Sequence, residues 1–469
     1  MGIKSLNLTT PHKSTYDFVE DENECPGGHY SVTPDEVFHG EKTKYQVMLN
    51  LHFGDKSTVW VCHDYDLAVK YWALKILSVD ASNNTREHLV EDYVKKPLDR
   101  LEEEEQRCQL KKSICLPVDK FLVRGPKGNH QCFVYPLLGP QAQPGWMSTL
   151  SKILKNKDGF SPSNGLSPSD YKSFSRTYYQ LANAVRFIHS QQLCHGRIIP
   201  GSVLHCIQGL DGKSVNDVCA ILGGGRGRAM AMIDQTREES RGPVKRIHKG
   251  ASDWKSRSVY WDVPLILKHL TSDIALIGFG QCFLQSSPPS TLDIPESYQP
   301  PELMLKGILG PGTDLWALGC TLYELRMGFP LLDFGSTDRI EQLQCIVQTL
   351  ETLGGNVKDL ESYGCPDINI SRLSESKFVP ALSEQLEERT ITFLFNDPPV
   401  PYERTVMGRS TERIAFRNLL RKLLKYDYEK REGAEAIIKD GWVRKQRFLP
   451  KRPSRRRYRT KMLETESQR

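Results

Sequence analysis

Two neighbouring segments of the chain carry residue types that can bind phosphate. LHFGDKSTVW (residues 51–60) places small residues in a turn between two β-type runs, where backbone N–H groups can approach an anion closely. YWALKIL (residues 71–77) holds one lysine, Lys75, between the apolar residues Leu74 and Ile76. An ordinary hairpin turn and a solvent-exposed lysine are the alternative interpretations. The apolar neighbours favour a partly buried cation.

The composition is that of a soluble globular protein. Of the 469 residues, 39% are hydrophobic and 26% are charged. No apolar run approaches the roughly 18 residues of a membrane span, and the first residues lack the apolar centre of a secretory leader. The twelve cysteines form no C-x-x-C pair, which indicates free thiols in a reducing compartment and gives no support for a metal site.

The basic character of the chain is concentrated at its C-terminal end. Residues 444–469 contain eleven Lys or Arg and two Glu, a balance of +9 within a total of +6. The rest of the chain is therefore near −3, so the basic end does not describe the folded body. This tail is either a nuclear-import or nucleic-acid-binding patch or a solvated disordered end.

Hydrophobic periodicity divides the chain into a β-rich part and a helical part. YQVMLNL, STVWVCH and YWALKIL predict an antiparallel meander, and CFVYPLL (residues 132–138) predicts a further strand that ends at a Gly139–Pro140 break. Residues 85–109 predict a charged helical region interrupted at Pro97. Apolar residues at three- and four-residue steps predict helices at residues 174–188, 314–326, 340–353 and 412–425.

Several motifs in a fixed order resemble those of the eukaryotic protein kinases, and among these the SR-protein kinases and their fungal relatives. The resemblance covers residues 28–448. It rests on the following segments: CPGGHYSVTPDEVF before the first strand, the LHFGDKSTVW loop, GNHQCFVYPLLGP at the interlobe hinge, and YQPPELML with GTDLWALGCTLYEL in the helical part. An insertion between the catalytic loop and the D-F-G position is also typical of that family.

The resemblance implies an α+β, bilobal kinase fold. We expect a flexible arm at residues 1–27, an N-lobe at residues 28–138, a C-lobe at residues 139–448 and a basic disordered tail at residues 449–469. Within the C-lobe, residues 206–270 fit neither periodicity and predict a partly disordered insertion.

The resemblance also implies a nucleotide slot. Lys75 corresponds to the lysine that bridges the α- and β-phosphates, and its helix partner is Glu87, with Glu91 as the alternative. Tyr135 corresponds to the gatekeeper residue beside the hinge. The expected nucleotide-binding set is His52, Gly54, Ser57, Val59, Lys75, Glu87, Pro136 and Leu138. ATP is therefore an expected ligand.

Four positions depart from the kinase pattern at the residues that transfer phosphate. CHGRIIPGSVL (residues 194–204) stands where kinases carry H-x-D-x-K-P-x-N, and IALIGFGQCFL (residues 274–284) stands at the D-F-G position. Arg197 replaces the base, Ile199 the lysine, Ser202 the metal-binding Asn and Gly278 the metal-binding Asp. Arginine is protonated at neutral pH, and glycine has no ligand atom. Mg²⁺ binding is therefore doubtful. Arg197 instead supplies a cation that can pair with a phosphate directly.

The residues that build the kinase scaffold are retained. The resemblance assigns structural roles to His195, Phe279, Glu302, Asp314 and Arg431, with Glu302 and Arg431 expected as a buried ion pair. Loss of the transfer groups beside a retained scaffold favours a pseudokinase that binds partners. The alternative is an active Ser/Thr kinase that phosphorylates Arg/Ser-rich proteins through an atypical site.

The resemblance further suggests partners and location. SR-protein kinases bind Arg-rich proteins in an acidic groove, to which Asp333, Asp338 and Glu341 correspond in position. Arg/Ser-rich protein partners, a cytoplasmic or nuclear location and a role in mRNA splicing regulation follow as expectations. Nucleic-acid binding is expected only through the basic tail, and no membrane association is expected.

Overall fold

The computed structural model describes residues 28–33, 35–65, 70–142, 168–223, 263–266, 268–327, 330–334, 338–352 and 410–445. The arm predicted at residues 1–27 and the tail predicted at residues 449–469 lie outside them. The described residues form a sheet-rich N-terminal lobe followed by a mainly helical lobe, which confirms the predicted bilobal α+β fold.

A six-stranded antiparallel sheet makes up most of the N-lobe, in the order β1-β2-β3-β4-β6-β5. Its strands are β1 Val37–His39, β2 Lys44–Phe53, β3 Ser57–Asp64, β4 Tyr71–Leu77, β5 Asp119–Gly125 and β6 Gly128–Pro136. The three runs predicted as a meander are β2, β3 and β4, and they pair as antiparallel neighbours.

Side chains of β4 point alternately to the two faces of the sheet, and this alternation decides which of them line the interlobe cleft. Leu74 and Ile76 are buried with Trp60 and Val134 in the core on one face of the sheet. Because successive side chains point to opposite faces, Ala73 and Lys75 lie on the other face. Burying each of these aliphatic side chains contributes about 2 kcal/mol, which fixes the register of the strand and therefore the direction of Lys75.

The helical region after β4 differs from its prediction at Pro97. Helix α1 (Val79–Asn84) is capped by the Ser78 hydroxyl, which accepts the Ala81 N–H at 3.2 Å. A π-helical turn (Glu91–Lys95) runs directly into α2 (Lys96–Asp99), so the helix continues through Pro97. Since proline has no N–H to donate, the wider turn just before it absorbs the missing bond. Within the region predicted as helical, residues 85–88 form a turn, and the helix is interrupted again at residues 100–103, before α3 (Glu104–Ser113).

The C-lobe is organised around one helix that is buried on nearly all sides, α8 (Pro311–Met327). The other described helices are α4 Pro168–Ser190, α5 Val215–Ile221, α6 Val263–Ile266, α7 Pro301–Lys306, α9 Arg339–Thr352, α10 Ser410–Leu423, α11 Ala434–Lys439 and α12 Gly441–Lys445. Two small sheets lie near the cleft, β10-β9-β7 and β11-β8. Their strands are β7 Leu138–Gln141, β8 Leu193–Cys194, β9 Val203–Ile207, β10 Leu270–Leu276 and β11 Phe283–Leu284.

One further prediction needs correction. The Gly139–Pro140 break is wrong, because both residues lie inside β7. A proline is tolerated there because β7 lies at the edge of its sheet, where a missing N–H interrupts no inner ladder. The partly disordered insertion at residues 206–270 stays a prediction, and the structure describes both of its ends. Its centre, residues 224–262, lies outside the described part of the chain.

The ordered ends of the insertion pack against the N-lobe. Leu210 and Val218 share an apolar cluster with Val61 of β3 and Leu137 of the hinge. The Tyr71 hydroxyl of β4 donates to the Lys213 carbonyl at 2.6 Å. Sequence periodicity missed these segments because each is too short to show a clear helical repeat.

One continuous core joins the two lobes behind the cleft. Val94 and Leu110 of the N-lobe helices share a buried cluster with Phe279 and the helices of the C-lobe. The Cys115 N–H donates to the Leu276 carbonyl at 2.9 Å. The lobes are therefore fastened at the rear of the cleft.

Every cysteine among the described residues is a free thiol. None of the helices in the described ranges combines the length and apolarity that a bilayer crossing requires.

Candidate functional site

Three strands bring the predicted phosphate-binding residues into one row on the cleft face of the sheet. His52 of β2 pairs with Val59 of β3, and Val59 pairs with Lys75 of β4. Directly opposed residues in antiparallel strands share a face, so the His52 ring, the Val59 side chain and the Lys75 side chain all line the cleft. The cleft face of the sheet therefore carries the Lys75 cation, the apolar Val59 side chain and the His52 imidazole.

Lys75 is held in the cleft by Glu87. Its Nζ lies 2.8 Å from Glu87 Oε2, and the two side chains are 18% and 2% exposed. Of the two acids that the sequence left open, Glu87 is the partner, because Glu91 pairs at 2.9 Å with Lys95 on the surface. A lysine fixed by a buried carboxylate is preorganised to receive a phosphate group.

The gatekeeper residue belongs to the same network. The Tyr135 hydroxyl donates a hydrogen bond to Glu87 Oε1, the carboxylate oxygen that Lys75 leaves free. Burial, together with the charge of Glu87, raises the pKa of Tyr135 well above its usual value, so it remains a donor. Its ring therefore closes the space between the hinge strand and Glu87.

The turn between β2 and β3 is tightly closed. The Gly54 N–H donates to the Ser57 carbonyl at 3.0 Å. A Cβ at Gly54 would lie 2.8 Å from His52 Nε2, so the histidine ring occupies the space beside this residue. Among the four loop positions of the nucleotide-binding set, Ser57 and Val59 begin β3, whereas His52 and Gly54 form the approach to the turn.

The predicted hinge residues connect the two lobes. Pro136 ends β6, Leu137 is buried, and Leu138 begins β7, where it pairs with Cys206 of β9. The hinge therefore passes directly into the small sheet that carries the catalytic loop.

A buried carboxylate supports the catalytic loop from below. Asp314, at the start of α8, accepts the His195 N–H at 2.6 Å, the Gly196 N–H at 2.9 Å and a hydrogen bond from His189 Nε2 at 2.9 Å. Burial alone would raise the pKa of Asp314, but the bonds to His189 and His195 outweigh it and lower the pKa. The carboxylate therefore stays ionised and holds the loop.

The residue at the D-F-G phenylalanine position locks the loop to the core. The Phe279 ring lies 4.8 Å from the His195 ring, edge to face, and is buried. His195 Nε2 contacts the Ile277 carbonyl at 3.0 Å. These contacts set the position of Gly278, the neighbouring residue, at the edge of the cleft.

None of the four residues that depart from the kinase pattern can perform the chemistry of the residue it replaces. Arg197 Nη1 donates to the Asp293 carbonyl at 2.6 Å and lies 3.2 Å from Asp293 Oδ2, so its guanidinium is engaged in an ion pair. The Ser202 hydroxyl faces its own turn, where it donates to the Ile199 carbonyl at 2.7 Å and accepts the Ile199 N–H at 3.1 Å. Ile199 itself supplies an aliphatic side chain where a cation is needed.

Gly278 has the backbone conformation but no side chain to bind a metal. Its φ of +89° and ψ of 42° are left-handed, and no atom lies within 4 Å of where a Cβ would stand. Magnesium requires oxygen ligands in octahedral order, and kinases supply them from these two positions. The residues present at Ser202 and Gly278 do not fit Mg²⁺.

One group of ligand-type side chains in the described ranges is close enough to hold a metal, namely His189, Cys194 and Asp314. The Asp314 carboxylate already accepts three hydrogen bonds, and burial raises the pKa of the Cys194 thiol. This group is therefore explained as the support of the catalytic loop.

The predicted structural pair forms a buried bidentate contact. Arg431 Nη1 and Nη2 lie 2.6 Å and 2.7 Å from the two oxygens of Glu302, and both side chains are essentially inaccessible. The guanidinium also donates to the Lys425 and Gly312 carbonyls at 2.9 Å. This contact ties α7 to the last helices.

The structure adds Asp293 and Lys56 to the site, two residues that the sequence did not single out. Asp293 pairs with Arg197 and also lies 2.7 Å from Lys56 in the β2–β3 turn. These contacts join positions 96 and 237 residues apart, for which a single sequence carries no signal. Of the predicted docking acids, Asp338 is engaged as a helix cap, because its carboxylate accepts the Ile340 N–H at 2.8 Å.

Comparisons with known proteins agree with this architecture. The "Protein kinase domain" family model matches residues 265–443. The catalytic loop precedes the matched segment, whereas Gly278 and Phe279 lie inside it.

Curated relatives match at low identity. SRSF protein kinase 3 of Mus musculus is 28% identical over 184 residues, which is 39% of this chain and 28% of the relative. Protein kinase dsk1 of Schizosaccharomyces pombe is 28% identical over 210 residues, which is 44% of this chain and 35% of the relative. The matches thus span about a third or less of these relatives' own lengths.

A solved kinase domain covers 89% of this chain and 99% of its own, with 16% identity and a TM-score of 0.48, too low a similarity to decide the fold. The family model and the motifs decide it together with the two-lobed architecture. Residues 265–443 thus match the protein kinase domain family, and the chain is similar to the SR-protein kinases over part of its length.

Proposed function

We propose that this protein is a pseudokinase that binds partner proteins and does not transfer phosphate. The observation that carries the proposal is the state of the catalytic loop. The position of the proton acceptor holds an arginine in an ion pair, and the two metal-ligand positions hold a self-bonded serine and a glycine. Base and metal sites are lost together, so no single neighbouring group replaces them.

We further propose that the cleft keeps an ATP-binding slot that does not require magnesium. The paired Lys75 and Glu87 support the phosphate end of this slot, and the hinge at Pro136 and Leu138 supports the adenine end. The partners include Arg/Ser-rich proteins, in keeping with the related SR-protein kinases. A cytoplasmic or nuclear location and a role in splicing regulation belong to the same proposal.

A thermal-shift assay with ATP tests the nucleotide slot. We expect equal stabilisation by ATP in EDTA and by ATP with Mg²⁺, and loss of the shift in Lys75→Ala. The exposed Lys111 serves as a matched control, because it pairs with Asp99 at 2.7 Å on the N-lobe surface and is remote from the cleft row. Stabilisation that requires Mg²⁺ contradicts the loss of the metal site.

A specific observation also keeps the alternative, an active Ser/Thr kinase, in consideration. The Asp293 carboxylate lies next to Arg197 and could accept a proton in place of the missing base. Partial burial acts to raise the pKa of Asp293, but the bond to Lys56 and the charge of Arg197 outweigh it and lower the pKa. The lowered pKa makes Asp293 a weaker base.

Radiolabel transfer from ATP to an Arg-Ser peptide separates the two functions. The pseudokinase predicts no transfer above the background of the Lys75→Ala variant. Transfer by the wild type that is abolished in both Lys75→Ala and Asp293→Asn establishes the atypical kinase.

A further inference from the structure

Three charged side chains from separate parts of the chain meet at the outer edge of the cleft. Lys56 comes from the β2–β3 turn of the N-lobe, Arg197 from the catalytic loop and Asp293 from the segment between β11 and α7. Asp293 Oδ2 lies 2.7 Å from Lys56 Nζ and 3.2 Å from Arg197 Nη1. Two cations therefore share one carboxylate, which leaves a formal charge of +1 at this point.

Both cations keep donors to spare. A guanidinium carries five N–H donors and an ammonium carries three. Within the described ranges, Nε and Nη2 of Arg197 have no hydrogen-bond partner, and Lys56 uses its Nζ for Asp293 alone. The free edge of a guanidinium matches two oxygens of a phosphate group, which makes this pair a receptor for a tetrahedral anion.

Exposure separates this point from the nucleotide slot. The side chains of Lys56, Arg197 and Asp293 are 55%, 34% and 54% exposed, whereas Lys75 is 18% exposed and committed to Glu87. A nucleotide phosphate reaches Lys75 from inside the cleft. A group carried on another protein reaches Arg197 from solvent.

The arginine at position 197, where kinases carry an aspartate, also favours binding of a phosphate group on another protein. An aspartate at this position repels a phosphorylated side chain, whereas an arginine attracts it. A phosphoserine carries about −1.5 to −2 charges at neutral pH, against −1 for an aspartate, so it competes well for the same two cations. The Asp293 carboxylate is thus an internal substitute for the anion.

We propose that Arg197 and Lys56 bind a phosphoserine of a partner protein, and that Asp293 occupies this site until the phosphate displaces its carboxylate. The inference rests on the proposed function, because it assigns a partner class to a cleft that does not transfer phosphate. The site binds a phosphoserine that another enzyme has formed on the partner protein.

Fluorescence anisotropy tests the site with a labelled twelve-residue Arg/Ser peptide that carries one central phosphoserine. The unphosphorylated peptide is the matched ligand, and the full-length protein is used at about 0.1 M salt because exposed ion pairs are screened above this. We expect the phosphopeptide to bind at least about tenfold more tightly than its unphosphorylated form.

Two variants test the roles of the residues in opposite directions. Arg197→Ala removes the receptor and lowers phosphopeptide affinity about tenfold or more. Asp293→Asn removes the internal competitor and raises affinity about threefold or more. Asp99→Asn is the control, because its pair with Lys111 has nearly the same distance and exposure as the Lys56–Asp293 pair, and it should leave affinity unchanged.

The outcomes distinguish this inference from the proposed function. Equal binding of both peptides, or unchanged affinity in both Arg197→Ala and Asp293→Asn, overturns the phosphoserine site and leaves the pseudokinase intact. Complete displacement of the peptide by ATP in EDTA assigns the cations to the nucleotide and also overturns the site. Phosphate transfer to the unphosphorylated peptide refutes the pseudokinase itself.

Discussion

Replacing Arg431 by methionine tests whether the C-lobe depends on its buried ion pair. In the wild type both Glu302 oxygens are bound by Arg431, at 2.6 Å and 2.7 Å, and the two side chains are 1% and 0% exposed. Arg431→Met leaves the Glu302 carboxylate buried without its cation. It also removes the donors to two backbone carbonyls and the contact between the guanidinium and the Trp316 ring.

The expected cost follows from this geometry. Breaking a buried ion pair from one side destabilises a protein by about 3–5 kcal/mol, because one charge remains desolvated. For a lobe of this size the loss corresponds to a fall in melting temperature of about 10 °C. The Glu302→Leu/Arg431→Met double variant leaves no unpaired charge, so its cost should be clearly smaller than that of Arg431→Met alone.

Urea unfolding followed by far-UV circular dichroism measures these differences in the free energy of unfolding. The control is Lys439→Ala, which removes an exposed pair with Glu435 at 3.0 Å in the neighbouring helix α11. Its cost should stay below about 0.5 kcal/mol. A loss below about 1 kcal/mol in Arg431→Met, or a double variant as unstable as the single one, would refute the reasoning.

Three further predictions concern pH, backbone conformation and the catalytic loop. Burial lowers the pKa of His205 to about 4, so its contribution to stability is complete above about pH 6.5 and is lost as the pH falls towards 4. His205→Leu should therefore reduce the slope of unfolding free energy by about 1.4 kcal/mol per pH unit in this window. Gly278→Asp should fold with a loss of about 1–2 kcal/mol, because its Cβ meets open space in a left-handed conformation. Ser202→Ala should cost about 1 kcal/mol, because the half-buried Ile199 N–H loses its acceptor.

Matched comparisons check each of these. Denaturation at pH 7, 6 and 5 gives the His205 slope, and parallel slopes in wild type and variant contradict the prediction. Gly196→Ala is the comparison for Gly278→Asp, because a Cβ there would lie 2.4 Å from the Gln281 carbonyl oxygen and should prevent stable folding. Ser202→Thr retains the hydroxyl and should restore most of the stability that Ser202→Ala loses.

Local pattern predicted the division into a β-rich and a helical part, whereas the bilobal fold and the cleft residues followed from the resemblance to protein kinases. Short runs rich in Val, Tyr, Trp and Leu identified β2, β3 and β4, and the apolar neighbours of Lys75 indicated its partial burial. The choice between Glu87 and Glu91 needed the structure, since the sequence predicted both acids one turn apart on one helix, whereas Glu87 lies in a turn before it. The π-helical turn before Pro97 depends on hydrogen bonding that composition does not encode.

The contacts of Arg197 could not be predicted at all. Its partner Asp293 is distant in sequence, and the bridge to Lys56 exists only because the two lobes approach each other. Similarly, the ordered ends of the insertion are stabilised by β3 and the hinge and not by their own periodicity. Long-range packing therefore supplied the information that local pattern lacked.

The bond between Tyr135 and Glu87 has a consequence for chemical probes of this protein. Tyr135 pairs with Ala73 beside the hinge, and its hydroxyl is fixed by a carboxylate that also holds Lys75. Flat heteroaromatic compounds that contact only the hinge should be accepted. Elongated inhibitors that extend behind the gatekeeper should be excluded, and Tyr135→Ala would admit them.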